Sequence, residues 1–428
     1  MTMTRYSVLD ELRWRGMLHE ATDGAEAALV ESRHSVYAGF DPTADSLHVG
    51  SLLPIMGLMH FQRAGHSPIA LVGGGTGLIG DPSGKSDERA LFSEDEARAN
   101  ADAMKGQLES FLDFGDVSNA AQMVNNLDWL GPARVLTFLR DVGKHFPVNV
   151  MLAKESVRRR LGEEGISFTE FSYMLLQSYD FLRLFEDLEC HVQVGGSDQW
   201  GNITGGIELI RRVAGERAYG VVFPLLATSS GVKFGKTEAG AVWLDPGRTS
   251  PYRFFQYWLN TDDADVGRYL RLFTLLDPEE VEVLEAAAES SPHKRDAQQA
   301  LAEDVTRRVH GETELERVRR ASRALFGGEI AGLRPDEIQE IFAHVPSSLL
   351  PAERLGGDGV DLTALIAEVG LTTSRGEARR AVEQGGVYLN GERVDDVGSR
   401  VTANDALGGA FLVLRRGKKH YHLIQVAR

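Results

Sequence analysis

Short apolar runs that alternate with helical patterns constrain the fold of this chain most. Four such runs end in glycine, aspartate or asparagine, over residues 35–41, 69–75, 121–126 and 190–198. Between them, apolar residues recur at helical spacing, as over residues 47–64 and 93–114. Buried strands that alternate with helices are typical of a parallel sheet in an α/β layer. The pattern therefore predicts an α/β domain.

Ligands of such sheets bind beyond the carboxyl ends of the strands. Polar residues crowd at the ends of the apolar runs, namely Asp41, Thr43, Asp81, Asp198 and Gln199. Any one of these aspartates alone could be a turn or helix-cap residue. Their accumulation at one kind of position predicts a binding site at this edge of the sheet.

The rest of the chain follows two other patterns. From about Pro251 to about His344 strand signals vanish and apolar residues keep helical spacing, which predicts a helical domain. Residues 346–359 hold two prolines and three glycines, so we expect a linker over 346–358. Beyond it we expect helices over 361–369 and 374–384, a hairpin with an Asn-Gly turn over 387–394, and two closing strands.

Charge is distributed unevenly along the 428 residues. The net charge is −16, which disfavours a generic nucleic-acid coat or a membrane-surface protein. Residues 359–428 nevertheless carry 10 Lys/Arg against 8 Asp/Glu, whereas the remainder carries 36 against 54. A basic end on an acidic body indicates either local contact with a polyanion or a solvated terminal face.

The single cysteine, Cys190, can form no internal disulfide and no cysteine-based metal site. It lies in an apolar run, so we expect a buried spectator. The twelve histidines show no metal-ligand spacing, so a metal held by the protein is not expected. The first residues resemble neither a signal nor a transit peptide, and no run is long enough to span a membrane. We therefore expect a cytoplasmic protein.

Two glycine motifs invite a wrong interpretation. Residues 75–80 fit G-x-G-x-x-G, but Asp81-Pro82 follows where a dinucleotide fold needs a helix. Residues 80–86 resemble a P-loop, but Ile79 stands where its first glycine belongs. What remains is a glycine-rich loop that, with Lys85 and Arg89, can cradle phosphates.

Four segments together carry a family resemblance. Residues 37–50, with His48-Val49-Gly50, resemble the segment of the HIGH signature of class I aminoacyl-tRNA synthetases, and residues 233–237 resemble the KMSKS signature. Residues 173–180 and 195–203 resemble the corresponding segments of the bacterial tyrosyl-tRNA synthetases. The resemblance to that family covers essentially the whole chain. The resemblance implies four parts: a Rossmann-like catalytic domain over 1–230, the lysine loop and an α-helical domain over 231–345, the linker, and over 359–428 an α+β RNA-binding module like that of a ribosomal small-subunit protein.

The implied reaction explains the residue types. The carboxylate of tyrosine attacks the α-phosphorus of ATP, so the substrate supplies the nucleophile and catalysis is mostly positioning and charge stabilisation. Thr43 and His48 are expected to hold the phosphates, Gly50 to let the adenine approach the helix, and Gly196 to leave room for the ribose that Asp198 binds. The leaving pyrophosphate is assigned to Lys85, Arg89, Lys233, Lys236 and Thr237.

Two positions of the signatures have a particular expectation. Ser51 stands where the first signature has its second histidine, so we expect an altered ATP contact with function preserved. Gly235 is expected to be a flexible point that lets the second loop close. Mg²⁺ would arrive with ATP and stay mostly hydrated.

The resemblance also assigns the tyrosine pocket. Tyr37 and Asp180 are expected to bond the phenol hydroxyl, which leaves buried polar groups unpaired when phenylalanine enters. The substrate ammonium and carboxylate are assigned to Tyr173, Gln177, Asp81 and Gln199, and Asp41 is placed in the same tyrosine-binding set. Singly, each residue fits packing or capping as well.

Seven basic side chains of the C-terminal module are expected to contact tRNA phosphates: Arg375, Arg379, Arg380, Arg415, Arg416, Lys418 and Lys419. Ion pairs along a helix face are the alternative for the first three.

The resemblance as a whole predicts that the chain is a homodimeric tyrosine–tRNA ligase. Alternatives are a tryptophanyl-tRNA synthetase, a non-catalytic RNA-binding protein derived from a synthetase, and an adenylating enzyme that uses no tRNA.

Overall fold

The structure is a computed structural model that describes residues 7–81, 93–154, 157–158, 165–229, 231, 234–237, 240–324, 330, 332–343, 345–417 and 420–427. The chain divides into two compact units, one of residues 1–249 and 257–309, the other of residues 250–256 and 310–428. Within the described residues, no helix has the length and apolar character that crossing a membrane requires.

The helices are α1 (Val8–Trp14), α2 (Ala25–Glu31), α3 (Leu52–Arg63), α4 (Gly74–Gly77), α5 (Glu94–Leu108), α6 (Leu127–Leu130), α7 (Val135–Asp141), α8 (Val148–Ala153), α9 (Phe168–Leu188), α10 (Trp200–Val213), α11 (Pro251–Leu259), α12 (Asp263–Phe273), α13 (Pro278–Ser290), α14 (Asp296–Ala324, interrupted at Gly311), α15 (Pro335–Ile341), α16 (Leu362–Glu368) and α17 (Arg375–Glu383).

The strands are β1 (Glu20–Ala21), β2 (Ser35–Phe40), β3 (Ser67–Val72), β4 (Gln122–Asn125), β5 (Cys190–Gly196), β6 (Tyr219–Phe223), β7 (Lys236–Thr237), β8 (Gly240–Ala241), β9 (Ser347–Pro351), β10 (Val360–Asp361), β11 (Val387–Leu389), β12 (Glu392–Arg393), β13 (Arg400–Val401), β14 (Phe411–Arg416) and β15 (His420–Ala427).

The first unit is built on a six-stranded sheet in the order β1-β6-β5-β2-β3-β4, in which only the short edge strand β1 runs antiparallel. The four apolar runs of the sequence become β2, β3, β4 and β5, which confirms the predicted parallel sheet. The sequence patterns did not single out β6, which completes it.

Helix starts and close packing fix the elements that carry the polar residues. Helix α9 begins at a capping box, in which the Ser167 hydroxyl accepts the Glu170 N–H and the Glu170 carboxylate accepts the Ser167 N–H. Helix α3 lies close to the sheet because residue 57 is glycine, and any Cβ there would overlap the ring of Phe223. Its first turn is thereby held beside the ends of the strands.

Helices fill the described part of residues 251–343, as the sequence predicted. The second unit holds a five-stranded sheet in the order β12-β11-β14-β15-β9. Its β11–β12 hairpin turns at Asn390 (φ 51°) and Gly391 (φ 89°), the left-handed pair that an Asn-Gly turn favours. Helix α17 begins at Ser374, whose hydroxyl accepts the Glu377 N–H.

The expected linker differs from the structure in one part. Ser347–Pro351 forms β9, which pairs in parallel with β15 at the edge of the second sheet. Leu350 is buried there in the core of the module. The two prolines flank or end this edge strand, a position that proline tolerates because no ladder hydrogen bond is lost. Composition alone therefore misassigned these five residues.

Candidate active site

Polar side chains gather where the parallel strands of the first unit end, as predicted. Strand β2 ends before Asp41 and Thr43, and β5 ends before Asp198 and Gln199. A Cβ built on Gly73, just after β3, would lie 2.9 Å from Oδ1 of Asp41. The turn after β3 therefore packs directly against the turn after β2. Thr43 is exposed, and its N–H donates to the Asp41 carbonyl at 2.8 Å.

Tyr37 and Asp180, the predicted phenol-binding pair, are both fully buried. The Tyr37 hydroxyl has no hydrogen-bond partner among the described residues. Its ring packs edge-on against Phe181, the neighbour of Asp180 on α9, with centroids 5.2 Å apart. Burial, and after it the charge of the Asp180 carboxylate, raises the pKa of Tyr37 well above its usual range. The hydroxyl therefore stays protonated and can donate.

The Asp180 carboxylate is held by two donors that the sequence patterns did not single out. Asn126 Nδ2 donates to Oδ2 at 2.9 Å, and Trp129 Nε1 donates to Oδ1 at 2.7 Å. Asn126 is also fixed in place, since its Oδ1 accepts the Gly75 N–H at 2.7 Å and its Nδ2 donates to Thr76 Oγ1 at 2.9 Å. Each carboxylate oxygen keeps a further lone pair, which can accept a hydroxyl proton.

A chain of side-chain amides joins three of the other predicted tyrosine-binding residues. Asn202 Nδ2 donates to Gln177 Oε1 at 2.9 Å and to Gln199 Oε1 at 3.1 Å. Gln199 Nε2 in turn donates to Asp81 Oδ2 at 2.8 Å. Tyr173 lies on α9 one turn before Gln177, on the same face. Asn202 lies in the segment 195–203 that carries the family resemblance, but the sequence analysis assigned it no role.

The His48–Ser51 segment forms the entry to α3. A 3-10 turn over Val49–Ser51 leads into the helix, and Gly50 is exposed. A Cβ on Gly50 would meet the His48 ring, 2.7 Å from Cε1 and 2.8 Å from Nδ1. Glycine is therefore needed here for the position of the imidazole. Ser51 makes no side-chain cap to the helix.

The predicted ribose-binding residues Gly196 and Asp198 show a similar close contact. Any Cβ on Gly196 would overlap the Asp198 carboxylate, which lies in the 3-10 turn Ser197–Gln199. Because residue 196 is glycine, the Asp198 carboxylate can occupy its position just after the end of β5.

The described part of the second lysine loop packs against this entry. A Cβ on Gly235 would lie 2.9 Å from Val49 Cγ2 and 3.1 Å from the Gly50 nitrogen. Phe234 is buried and stacks on Phe273, with ring centroids 5.1 Å apart and planes at 8°. The two signature segments, far apart in sequence, are thus in contact.

Five predicted pyrophosphate-binding residues are placed only in part. Lys236 and Thr237 form β7, which pairs with β8. Lys85, Arg89 and Lys233 lie outside the described residues. Within the described part of the chain, no group of three or more His, Cys, Asp or Glu side chains could hold a metal ion.

The predicted tRNA-contacting residues of the second unit fall into two groups. Arg379 and Arg380 are exposed on α17, and Arg375, also exposed, lies 3.1 Å from Asp361. Arg415 is only 9% exposed: its guanidinium covers the Tyr388 ring at 3.6 Å and donates to the Gly417 carbonyl. These contacts do not support a phosphate contact by Arg415. Lys418 and Lys419 lie outside the described residues.

Arg416 is also engaged within the module. It donates to Glu377 Oε1 at 2.7 Å and to the Leu371 carbonyl at 3.0 Å. Its contacts tie the last strand pair to the start of α17.

Comparison with known proteins decides the family. Residues 30–327 match the family of class I tRNA synthetases for tryptophan and tyrosine, and residues 337–424 match the C-terminal domain of tyrosine–tRNA ligases. The tyrosine–tRNA ligase of Roseiflexus castenholzii is 57% identical over 421 residues, which cover 98% of this chain and 99% of that protein. The chain belongs to the tyrosyl-tRNA synthetases. The ligase of Bacillus caldotenax is 55% identical over 98% of this chain and all of that protein.

A solved structure agrees with this assignment. The C-terminally truncated mitochondrial tyrosyl-tRNA synthetase of Aspergillus nidulans is 32% identical, with a TM-score of 0.68, over 75% of this chain and 95% of that one. The predicted fold class and the predicted tyrosine–tRNA ligase activity are confirmed, and the tryptophan alternative is not supported. ATP, tyrosine and tRNA are the substrates of this family of enzymes.

Three residues of the pocket were missed by sequence reasoning. Asn126 and Trp129 are 54 and 51 residues from Asp180, and Asn202 is 25 residues from Gln177. In the sequence, Asn126 is marked only by its place at the end of the apolar run 121–126. The available signal was its position, since polar residues at strand ends of a parallel sheet face the site. Trp129 and Asn202 carry no such signal.

Tyrosine binding is expected to depend on pH through Asp180. Burial raises the pKa of this carboxyl to about 7 from an ordinary 3.8, although its two donors oppose the shift. The phenol hydroxyl donates to the carboxylate form, so kcat/KM for tyrosine in pyrophosphate exchange should rise with pH through an apparent pKa near 7. A profile flat between pH 6 and pH 8 would contradict this (roughly one unit either side of that pKa).

Stability gives an independent check of the same shift. The folded state holds the Asp180 proton more tightly than the unfolded chain, so this group's contribution is full below about pH 4 and is lost as pH rises through about 7. Asp180→Asn should remove this part of the pH dependence of the unfolding free energy, measured by denaturant unfolding. An unchanged pH dependence in the variant would assign the shift to another group.

Proposed function

We propose that this ligase selects tyrosine by a donor–acceptor pair for the phenol hydroxyl, supplied by Tyr37 and Asp180. The observation that carries the proposal is the buried Tyr37 hydroxyl, which has no partner among the described residues, beside a carboxylate fixed by Asn126 and Trp129. The substrate hydroxyl donates to Asp180 and accepts from Tyr37. It thereby satisfies both groups at once.

Phenylalanine is rejected because it satisfies neither group. A buried donor or acceptor left unpaired costs about 1–3 kcal/mol, and more when the group is charged. Both amino acids gain about equally from burying the ring, so the unpaired groups alone set the discrimination, and no separate editing step is needed. The amide chain of Gln177, Asn202, Gln199 and Asp81 is proposed to orient the ammonium and carboxylate, with Tyr173 and Asp41 beside it.

Activation is proposed to occur where the two signature segments meet. Thr43 and His48 hold the ATP phosphates, Gly50 admits the adenine, and Gly196 and Asp198 receive the ribose. The tyrosine carboxylate attacks the α-phosphorus while Lys85, Arg89, Lys233, Lys236 and Thr237 hold the departing pyrophosphate. No side chain takes a proton from the nucleophile, so these residues act through position and charge. Mg²⁺ enters with ATP and keeps most of its water.

Contact of Gly235 with the Val49 side chain and the Gly50 backbone supports this assignment. The backbone of the second signature thus lies at the entry to α3, where the positive end of the helix dipole favours an anion. Cations carried on that loop then reach the same phosphates as His48.

The C-terminal module is proposed to hold tRNA through exposed cations. Arg375, Arg379 and Arg380 project from α17, and Lys418 and Lys419 are kept in this set from the sequence. Arg415 and Arg416 are assigned a structural part, because their guanidinium groups are engaged by Tyr388, Gly417, Leu371 and Glu377. Phosphate contacts of this kind position tRNA without reading bases.

A homodimer is proposed from an exposed apolar face of the first unit. Large apolar side chains that are 41–83% exposed cluster within one stretch of chain: Val135, Leu136, Leu139, Val148, Val150, Leu152 and Phe168. Soluble monomers rarely leave so many contiguous apolar groups in water, and a second copy of the same face would cover them. Because the enzyme charges tRNA for translation, we also propose that it works in the cytoplasm.

Pyrophosphate exchange driven by amino acids tests the proposal. With ATP and labelled pyrophosphate, we expect exchange with tyrosine, and none above background with phenylalanine or tryptophan. Tyr37→Phe removes one hydroxyl and keeps the ring, so it should reduce kcat/KM for tyrosine roughly tenfold and raise the exchange with phenylalanine, which then leaves one buried group fewer unpaired. A loss for tyrosine with no gain for phenylalanine would show that Tyr37 supports packing only.

A further inference from the structure

Residues 242–244 join the two signature segments through the backbone. The Val49 N–H donates to the Val242 carbonyl at 2.9 Å, and the Leu244 N–H donates to the Leu47 carbonyl at 2.9 Å. On its other side the Val242 N–H donates to the Gly235 carbonyl at 3.2 Å. This short stretch is therefore bonded to the first signature and to the second at the same time.

Trp243, at the centre of this stretch, lies against the imidazole of His48. The two residues form an antiparallel bridge, and their ring centroids are 5.9 Å apart with planes at 62°. The imidazole also lies over Gly50, close enough that a Cβ there would overlap it. The ring is thus in contact with both an indole and a glycine.

The indole itself is fixed from outside. The Arg248 guanidinium covers the Trp243 ring at 4.8 Å from its centroid and pairs with the Asp45 carboxylate. The backbone N–H of Trp243 donates to Thr249 Oγ1 at 3.0 Å, which holds the main chain that carries the ring. Asp45 belongs to the segment that leads into His48. Arg248 is therefore an outer clamp that joins this segment to the Trp243 ring.

We propose that Trp243 is a positioning residue for the phosphate-binding imidazole of His48 and couples its orientation to the position of the second lysine loop. The proposal rests on the proposed role of His48. A hydrogen bond to a phosphate that becomes five-coordinate is effective only when the donor is already oriented, because reorienting it during the step adds to the barrier. When the Gly235 loop moves, its hydrogen bond to Val242 shifts the neighbouring Trp243, and the indole in turn shifts the imidazole of His48.

A double-mutant cycle on the full chain tests the proposal. The readout is single-turnover formation of enzyme-bound tyrosyl-adenylate, with the rate at saturating ATP and the KM for tyrosine measured separately. Trp243→Leu keeps an apolar side chain but removes the aromatic face, and is expected to slow the step about tenfold with the KM for tyrosine unchanged. Trp243→Phe keeps an aromatic face and should retain most of the rate.

The same substitution is then made in a His48→Ala chain. If Trp243 acts through His48, Trp243→Leu should cost less than about twofold in that background. A tenfold loss in both backgrounds would overturn the proposal and leave the role of His48 standing. A His48→Ala chain with the full wild-type rate would overturn the role of His48, and this inference with it.

A second site keeps the test decisive if Trp243→Leu does not fold. Arg248→Gln removes the outer clamp from an exposed position, and should slow the step about threefold with His48 present and leave it unchanged in the His48→Ala chain. Equal slowing in both chains would overturn the coupling. Thermal unfolding midpoints of all variants establish that each rate belongs to folded protein.

Discussion

Asp180→Asn is expected to lower kcat/KM for tyrosine by about two to three orders of magnitude, because charged hydrogen bonds of about 1.5–3 kcal/mol each are lost. An asparagine of the same shape can accept at only one atom, whereas the carboxylate now accepts from Asn126 and Trp129 and still has room for the phenol. One donor is therefore left facing the new NH₂ group. Exchange assays with tyrosine and phenylalanine measure the effect.

Discrimination between the two amino acids should collapse along with the rate for tyrosine. A matched control is Asp187→Asn, the same substitution on the same helix at a side chain that is 47% exposed and pairs with Arg183. Its kcat/KM should equal that of the wild type, since exposed ion pairs contribute little. If Asp180→Asn retained the full preference for tyrosine, another residue would have to read the hydroxyl.

Gly235→Ala is expected to reduce kcat for adenylate formation by about tenfold or more, because small displacements at a reacting centre have large effects on rate. The backbone at Gly235 has φ +82°, which disfavours a side chain, and the added Cβ would meet Val49 and the Gly50 nitrogen. The loop would therefore be pushed away from the entry to α3. Single-turnover adenylate formation and the KM for ATP report this displacement.

Gly231→Ala separates displacement from backbone strain. Gly231 has nearly the same backbone, φ +79°, but nothing within 4 Å of its Cβ position. Gly231→Ala should lower the unfolding free energy by about 1–2 kcal/mol, the cost of a left-handed residue, and Gly235→Ala by at least as much. Only Gly235→Ala should slow the chemistry. Equal kinetic losses would assign the effect to strain in the loop.

The sequence suggested flexibility as the reason for glycine at 235, and the structure adds another. Close approach to Val49 and Gly50 excludes a side chain whether or not the loop moves. Such a requirement is invisible in sequence because the partners are about 185 residues away. The aromatic anchor of the loop is similar: Phe234 stands in the signature, but Phe273 becomes its partner only through helix packing.

Arg415 shows the converse, a residue of a basic run whose side chain is already engaged within the module. A run of basic residues indicates a polyanion site when all of its members face solvent. Alternation along β14 instead turns Arg415 onto Tyr388 and ties Arg416 to α17. Residues 347–351 were assigned to a linker for a related reason, because their partner strand, β15, lies more than 70 residues further on.

The division of the chain into four functional parts stays a prediction, and the described structure separates it into two compact units. Strands β2 to β5, the helical character of residues 251–343, the Asn-Gly hairpin and the polar ends of the parallel sheet were determined by the sequence alone, because the period of apolar residues and the chemistry of caps and turns act over a few neighbouring residues. The signature residues, and with them the family, were also determined at that level.

Only the tertiary structure decided which groups meet. The strand order β6-β5-β2-β3-β4 brings Asn126, at the end of β4, to Asp180 on α9, and brings the Gly235 loop to the start of α3. It also decided which cations are engaged and which remain in solvent. These contacts depend on burial and packing between distant segments, so the free energy that fixes them is not contained in any local stretch of the chain.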